Sequence, residues 1–186
     1  MSRFKNDSLW IETPKDTGNR ISKKAVICAP VNIILSGNVI IKPEVIIRGD
    51  LRRTGPSPSV AISIGKFTIL DDGCIIRPAY KTYKGTFSYY PMKIGDFTTI
   101  GSQTILEAAQ VGSYVEIGRN CVIGRFVVIK DCAKVAPNSV IPPNTVIPPY
   151  ALFSGNPAVQ IDTLPESTLD NVELSTTTSY NEFKMT

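Results

Sequence analysis

The dominant pattern along the chain is an aliphatic residue that recurs at every sixth position. One step is five residues long instead, between Leu106 and Val111. From the middle of the chain onward, the members of this column are Ile94, Ile100, Leu106, Val111, Ile117, Ile123, Ile129, Val135, Ile141, Ile147 and Phe153. A six-residue period fits neither an α-helix nor a simple alternating strand. It predicts short strands separated by corners, and three such hexads close a triangular coil of about 18 residues.

Two further columns keep the same spacing. Glycine often follows the aliphatic residue, at Gly95, Gly101, Gly112, Gly118 and Gly124. Four positions after the aliphatic residue stands a small or β-branched one, at Thr98, Thr104, Val115, Cys121, Val127, Ala133, Ser139, Thr145 and Ala151. Small residues let the corners of stacked coils close tightly, and Gly or Asn, such as Asn120, can supply left-handed backbone angles there.

The same spacing extends toward the N-terminus. It continues upstream as Ile64, Leu70 and Ile76, and further upstream as Ile27, Ile33, Val39, Val45 and Leu51. We therefore predict an all-β fold, a single-stranded parallel β-helix of about six to seven triangular coils over residues 21–157. A β-sandwich with coincidental spacing is the alternative, and the length of the unbroken column disfavours it. The period itself does not fix the handedness of the coil.

Two segments interrupt the hexads. Residues 52–63 form a loop rich in Pro, Gly and Ser. Residues 77–93 form a second loop that carries five aromatic residues, Tyr80, Tyr83, Phe87, Tyr89 and Tyr90. Such residues are enriched at the centres of protein interfaces, so this loop is the candidate partner-binding surface. The alternative is that its rings cover a face of the β-helix, and both descriptions can hold together.

The ends of a β-helix need caps because they expose unpaired strand edges. We predict that residues 1–20 form an N-terminal cap or arm. Residues 158–186 are predicted to form a C-terminal capping segment. It contains a short α-helix that begins near Pro165 and lies beside the last coils.

Composition and charge exclude several functions. The 186 residues include no histidine, so no imidazole can act as a general base or a metal ligand. The net charge of +4 is too mild to favour nucleic acid binding. No apolar run approaches the ~18 residues of a membrane span, which argues against direct membrane insertion. The polar first ten residues do not resemble a signal peptide, so we expect a cytoplasmic protein.

The four cysteines also agree with a cytoplasmic, reducing environment. Cys28, Cys74, Cys121 and Cys132 form no CxxC pair, and three of them stand in apolar, strand-like runs. Free thiols buried in the fold are the expected state. Neither a disulfide framework nor a zinc set is predicted from them.

The hexads are typical of the hexapeptide-repeat superfamily, which has a left-handed β-helix fold and includes acyltransferases. The stretch Ile47–Leu51, together with Ile64-Gly65 and Leu70-Asp71, resembles its γ-class carbonic anhydrase branch. That family holds zinc with three histidines, partly from different protomers. The three ligand positions correspond here to Arg77, Ser102 and Glu107. Because arginine cannot ligate zinc, the resemblance implies that the metal chemistry is lost and that no cofactor is bound.

Two charged pairs are candidates for structural roles. Arg77 and Glu107 occupy former ligand positions, so they can form an ion pair within the chain or face a partner instead. Arg48 and Asp50 are predicted to pair at a corner of the coil, with contact to a partner as the alternative.

Longer strings resemble the dynactin subunit 5 family over nearly the whole chain. They are Ile46–Leu51, Ile76–Pro78 before the aromatic loop, Ala108–Val115, Cys121–Arg125, the two Pro-Pro pairs from residue 142 to 149, and Leu152–Gly155. The 52–63 loop departs from the family by its greater length. Dynactin activates the motor dynein, and its pointed-end complex caps an actin-related filament. The resemblance implies three partners: dynactin subunit 6, the pointed-end actin-related protein and the larger zinc-binding pointed-end subunit.

The expected function is therefore a non-enzymatic structural and adaptor subunit of the dynactin pointed-end complex. The resemblance implies a place in the dynein-associated cytoskeleton, support for attachment of dynein to membrane cargo such as early endosomes, and contact with cargo adaptors. A γ-carbonic-anhydrase-like enzyme or a hexapeptide-repeat acyltransferase is the alternative, which the lack of histidine disfavours. An acyltransferase would need an unusual base, such as Glu107 or Asp71.

Overall fold

A computed structural model describes residues 9–14, 17–52 and 59–183. The chain winds into six triangular coils and the start of a seventh. Each coil adds one strand in turn to three parallel sheets, here named faces A, B and C. The predicted all-β parallel β-helix of six to seven coils is confirmed. The 52–63 loop and the predicted N-terminal cap lie partly outside the described residues.

The strands are short because a corner follows every two or three residues. Strand β1 (Trp10–Glu12) precedes the first coil, which holds β2 (Arg20–Ser22), β3 (Val26–Cys28) and β4 (Ile33–Leu35). The second coil holds β5 (Ile40–Ile41), β6 (Ile46–Arg48) and β7 (Ile62–Ile64). The third holds β8 (Ile69–Leu70) and β9 (Ile75–Ile76), then an inserted hairpin of β10 (Tyr80–Tyr83) and β11 (Thr86–Tyr89), then β12 (Met92–Ile94).

The remaining coils follow without insertions. The fourth holds β13 (Thr99–Ile100), β14 (Ile105–Leu106) and β15 (Gln110–Val111). The fifth holds β16 (Glu116–Ile117), β17 (Val122–Ile123) and β18 (Val128–Ile129), and the sixth β19 (Lys134–Val135), β20 (Val140–Ile141) and β21 (Val146–Ile147). The last elements are β22 (Ala151–Gly155), β23 (Ala158–Thr163) and the helix α1 (Thr168–Glu182).

The aliphatic column forms the axis of the coil, as predicted. On face A, for example, Leu70 pairs in register with Ile100, and Ile100 pairs with Ile117. Side chains of this column are almost completely buried, and so are most residues of the small column, such as Thr98 and Cys121. Threonines of the small column bond to the next coil: the Thr98 hydroxyl donates to the Gly112 carbonyl at 2.9 Å. Adjacent coils are therefore joined by side-chain hydrogen bonds as well as by apolar packing.

The predicted column upstream of Ile64 was wrong after Ile27. The residues in register with Ile64, Leu70 and Ile76 are Leu35, Ile41 and Ile47. Ile33, Val39 and Val45 stand two positions earlier, in the small column, and Leu51 lies beyond the end of β6. A 3₁₀ turn, Pro30–Asn32, lengthens one corner and shifts the spacing by two residues. Val39 and Val45 are also buried, because they belong to the small column that accompanies the aliphatic one. Apolar character alone therefore could not separate the two columns.

Glycine and aromatic residues have separate roles at the corners. A Cβ atom at Gly95 would lie 2.5 Å from the carbonyl carbon of Gly112 on the next coil, so close packing requires this glycine. The left-handed backbone positions include Asn120, as predicted, but also large residues such as Phe67, Phe97 and Tyr114. Their rings stack with centroids 5.2 Å apart along the corner between faces C and A. Ring stacking between coils thus compensates for backbone angles that favour small residues.

Antiparallel strands cap face A at both ends. Strand β1 pairs with β2 at the N-terminal end, and β23 pairs with β22 at the C-terminal end. The helix α1 then runs back along face A, with Val172 and Thr176 buried. Its last turn reaches the first coil, where the Tyr180 hydroxyl donates to the Gly18 carbonyl. The helix therefore lies beside the first five coils, whereas the sequence suggested a position beside the last coils.

Candidate interaction surface

The aromatic loop is a two-stranded hairpin at the corner between faces B and C. Its register places Tyr80 opposite Tyr89, and Thr82 opposite Phe87. Because side chains alternate along a strand, the rings of Tyr80, Phe87 and Tyr89 share one side of the hairpin. Ring centroids of Phe87 and Tyr89 lie 5.0 Å apart, and those of Tyr80 and Phe87 lie 5.4 Å apart.

The hairpin packs against the corner of later coils. The Arg125 guanidinium lies 4.6 Å from the centre of the Tyr80 ring, and Tyr90 meets Phe126 edge-on at 5.3 Å. Between the hairpin and this corner runs an open groove of about 700 Å³. Its lining includes Tyr80, Lys81, Tyr90, Arg125, Phe126 and Pro143. These contacts fix the position of the hairpin on the prism.

Part of the hairpin stays exposed. Tyr83 is 59% exposed and Phe87 is 52% exposed, whereas Tyr89 is half-buried. Segment 77–93 carries four basic residues and no carboxylate. The groove and the hairpin tip, here together called the hairpin surface, therefore combine exposed rings with positive charge. This combination is common at the centres of protein interfaces.

Two of the three positions that the carbonic anhydrase resemblance singled out lie side by side. Arg77 follows β9 and Glu107 follows β14, so they stand one above the other on adjacent coils. The Arg77 guanidinium donates to the Glu107 carboxylate, and the Glu107 side chain is only 14% exposed. Ser102 lies at the corner between faces A and B and is not brought to this pair. No cluster of metal-ligating side chains occurs in residues 9–14, 17–52 and 59–183.

Arg48 and Asp50 also form a pair within the chain. The Arg48 Nε and Nη2 groups donate to the two Asp50 carboxylate oxygens at 2.8 and 2.7 Å. These hydrogen bonds lower the pKa of the Asp50 carboxyl and raise the pKa of the Arg48 guanidinium. The pair lies on the same corner as Arg77 and extends its row of charged side chains by one coil.

The candidate bases lie in ion pairs, and three of the four thiols are buried. Asp71, a candidate base, accepts from Lys42 at 2.6 Å, just as Glu107 accepts from Arg77. All four cysteines are free thiols, and three of them are buried. Burial raises the pKa of the Cys74 thiol to about 12 and also raises the pKa of Cys121 and Cys132. These thiols are therefore neutral at physiological pH and are poor nucleophiles.

Sequence inspection missed Arg125 and Phe126 as parts of the hairpin surface. They belong to an ordinary hexad corner on the fifth coil. They meet the hairpin because it folds along the corner past the fourth coil, and no local pattern in the sequence shows that direction.

The fold and its corner insertions define a class of protein, the left-handed β-helices of the hexapeptide-repeat type. The chain resembles a hexapeptide transferase family protein from Anaplasma phagocytophilum, with a TM-score of 0.64, 19% identity and coverage of 90% of this chain and 92% of the other. It also resembles a point mutant of AntD, an N-acyltransferase from Bacillus cereus, with a TM-score of 0.63, 18% identity and coverage of 86% and 89%. At such identities the likeness concerns the fold alone.

The sequence narrows this class to one family. The family model for dynactin subunit 5 matches residues 2–185. A dynactin subunit 5 from Dictyostelium discoideum is 48% identical over 181 residues, which cover 97% of this chain and 86% of the relative. The chain belongs to the dynactin subunit 5 family. In the part of the chain that the structure describes, no helix is long and apolar enough to span a membrane.

Proposed function

We propose that the chain is a non-enzymatic structural and adaptor subunit of the dynactin pointed-end complex. In this role it supports attachment of dynein to membrane cargo such as early endosomes, in the cytoplasm and on the microtubule cytoskeleton. The observation that carries the proposal is the family match along nearly the whole chain. The charged and nucleophilic groups agree with it, since the candidate bases form ion pairs and three thiols are buried.

The partners in this proposal are dynactin subunit 6, the pointed-end actin-related protein and the larger zinc-binding pointed-end subunit, with cargo adaptors as further ones. A β-helix suits such a role because it is rigid along its length and presents flat faces and projecting loops. The hairpin surface is the proposed docking site for one of them. Two of its rings, Tyr80 and Tyr90, are held from below by Arg125 and Phe126, so they lose little conformational freedom when a partner binds.

Affinity purification of the tagged chain from its own cells, at moderate salt, tests the proposal. Stoichiometric dynactin subunits, above all subunit 6 and the pointed-end actin-related protein, are the expected result. A lone homotrimer without these partners would contradict the proposal, and acyl-CoA and metal assays would follow.

A matched pair of variants tests the hairpin surface within the same purification. Tyr83→Ser combined with Phe87→Ser removes two exposed rings and should reduce recovery of at least one dynactin subunit roughly tenfold or more. Leu174→Ser removes an exposed apolar side chain from α1, which is 69% exposed, and should leave the recovered set unchanged. Equal recovery with both variants would exclude the hairpin as the docking site and leave membership in dynactin intact.

A further inference from the structure

Face B has an outward column that is entirely aliphatic. The side chains that point away from the axis on this face are Val26, Ile46, Ile75, Ile105, Val122 and Val140, each paired in register with the next. Val26 is 51% exposed, Val122 is 41% exposed, and the other four are partly exposed. No polar side chain interrupts this column from the first coil to the sixth.

The other two faces differ from face B in their coverage and polarity. Face A is lined by α1, which shares a groove with Ile40, Ile69 and Thr99. Face C carries Ser63, Lys93 and Gln110 in the middle of its outward column. Monomers rarely expose a continuous apolar strip of this kind without a use for it. Face B, uncovered by any element that the structure describes, is therefore the face that best suits protein association.

We propose that face B docks a second copy of this chain, packed antiparallel about a twofold axis that crosses the face between the third and fourth coils. The face is flat and self-complementary, so both copies can contribute the same patch, as a twofold interface requires. The six rungs span about 24 Å at ~4.8 Å per step. Two such faces bury on the order of 1,000 Å² in total, the lower limit for a specific interface, so the dimer we propose is a weak one. The proposal concerns the free chain and does not depend on the proposed function.

The antiparallel arrangement brings opposite charges together at the rim that face B shares with face A. The axis exchanges the fifth coil with the second and keeps each rim against the same rim of the other copy. At the rim shared with face A, Arg119 on the fifth coil then faces Glu44 of the second copy. Neither side chain belongs to an ion pair within the described part of the chain, so both charges are available.

At the opposite rim, shared with face C, the same axis brings Arg125 of the fifth coil against the paired charges of Arg48 and Asp50 on the second coil. Arg77 on the third coil and Glu107 on the fourth coil exchange places under it, so each faces its counterpart in the second copy. Their ion pair within one chain becomes part of a four-membered cluster with alternating charges. The cluster adds attraction at the centre of the interface and costs no unpaired charge.

Sedimentation velocity on the purified full chain, from about 1 to 200 µM, tests the proposal. The wild-type chain should shift from monomer to dimer over this range. Ile105→Lys should weaken the dimer roughly 100-fold, because it places an unpaired charge in the contact. The matched control is Val128→Lys, at an outward and half-buried position on face C, and it should dimerise as the wild type does. Val122→Lys replaces Ile105→Lys if circular dichroism shows that the latter does not fold.

A charge swap tests the antiparallel geometry. Arg119→Glu alone should weaken the dimer about tenfold, and the addition of Glu44→Arg should restore it. A monomer at all concentrations, a trimer, or a dimer insensitive to Ile105→Lys would overturn the proposal. A binding assay with purified dynactin subunit 6 covers the remaining outcome. If the chain is monomeric and binds subunit 6, and if Ile105→Lys abolishes that binding, face B is the docking site of subunit 6 and the second copy is excluded.

Discussion

Tyr180 joins the end of the chain to its beginning: its hydroxyl donates to the carbonyl of Gly18, 162 residues earlier. Its ring also packs edge-on against Phe67, at 5.5 Å, and beneath the Arg20 guanidinium, at 4.2 Å. Arg20 in turn donates to the carbonyl of Phe183 at 3.2 Å. The helix α1 thus closes the first coil, whose inner residues have no coil beneath them.

The first prediction concerns this closure. Tyr180→Phe removes one hydrogen bond and keeps the ring, so it should lower the free energy of unfolding by about 1 kcal/mol, a fall in Tm of roughly 2–4 °C. Tyr180→Ala also removes the ring contacts and should lower it by about 2–3 kcal/mol. Thermal unfolding followed by circular dichroism measures both. Tyr83→Phe, on the exposed hairpin, is the control and should leave Tm unchanged; equal shifts for Tyr83→Phe and Tyr180→Phe would contradict the role of Tyr180.

Much of the β-helix could be predicted from the sequence because each hexad acts locally. Where the six-residue spacing is regular, as from Ile94 to Ile100, it predicts by itself which residues lie on the axis of the coil. The prediction failed near Leu35, where the extra residues of a 3₁₀ turn changed the spacing and two apolar columns looked alike. A periodic pattern has no means of showing such a shift when both columns are apolar.

The candidate site was less predictable, because its contacts join distant segments. The aromatic content of the hairpin marked it as a surface of interest. Its packing on Arg125 depends on the direction in which the hairpin folds, and the local sequence does not encode that direction. The Arg77–Glu107 pair could be anticipated only because a family resemblance placed both residues at one former site. Ser102, anticipated on the same ground, lies at a different corner.

The second prediction concerns the Arg77–Glu107 pair and rests on unequal burial. The Glu107 side chain is 14% exposed and that of Arg77 is 45% exposed. Arg77→Met leaves a shielded carboxylate without its partner and should cost roughly 1–2 kcal/mol of stability. Glu107→Gln leaves an arginine that water can solvate and should cost less than about 1 kcal/mol. Urea unfolding of the two single variants and the double variant measures the asymmetry.

The control for this pair is Arg48→Met. Its partner Asp50 is 39% exposed, so the carboxylate left behind can be hydrated, and the loss should be smaller than for Arg77→Met. If Arg77→Met and Glu107→Gln cost the same, burial of the carboxylate does not determine the strength of the pair.

The third prediction concerns the close approach of adjacent coils at glycine. Gly95→Ala would place a methyl group 2.5 Å from backbone atoms of the next coil, which cannot move without separating two coils. The loss should be about 3 kcal/mol or more, since overpacking here strains backbone rather than a side chain. Gly85→Ala, at the hairpin turn, meets no atom within 4 Å and carries only the cost of its positive φ, about 1–2 kcal/mol. Chemical denaturation should therefore rank Gly95→Ala well below Gly85→Ala in stability.

The fourth prediction is a loss of stability in alkali that originates from buried thiols. Burial raises the pKa of Cys74 to about 12, above its value in the unfolded chain. The folded protein therefore holds the proton more tightly than the unfolded protein does. This contribution to stability is fully present below about pH 9 and is lost as the pH rises toward 12, at up to about 1.4 kcal/mol per pH unit. Cys121 and Cys132, whose pKa values also rise, act in the same direction.

Urea unfolding in the presence of a reductant, repeated from about pH 8 to 11, measures this slope. Cys74→Ala should lower the stability at pH 8 by about 1–2 kcal/mol, because it leaves a small cavity at a fully buried position. It should also flatten the alkaline slope, since one of the titrating groups is gone. Val45→Ala, which also leaves a small cavity at a fully buried position but removes no thiol, should leave the slope as in the wild type. An unchanged slope for Cys74→Ala would show that the alkaline loss has another origin, such as the tyrosines Tyr114 and Tyr150, whose pKa values are raised as well.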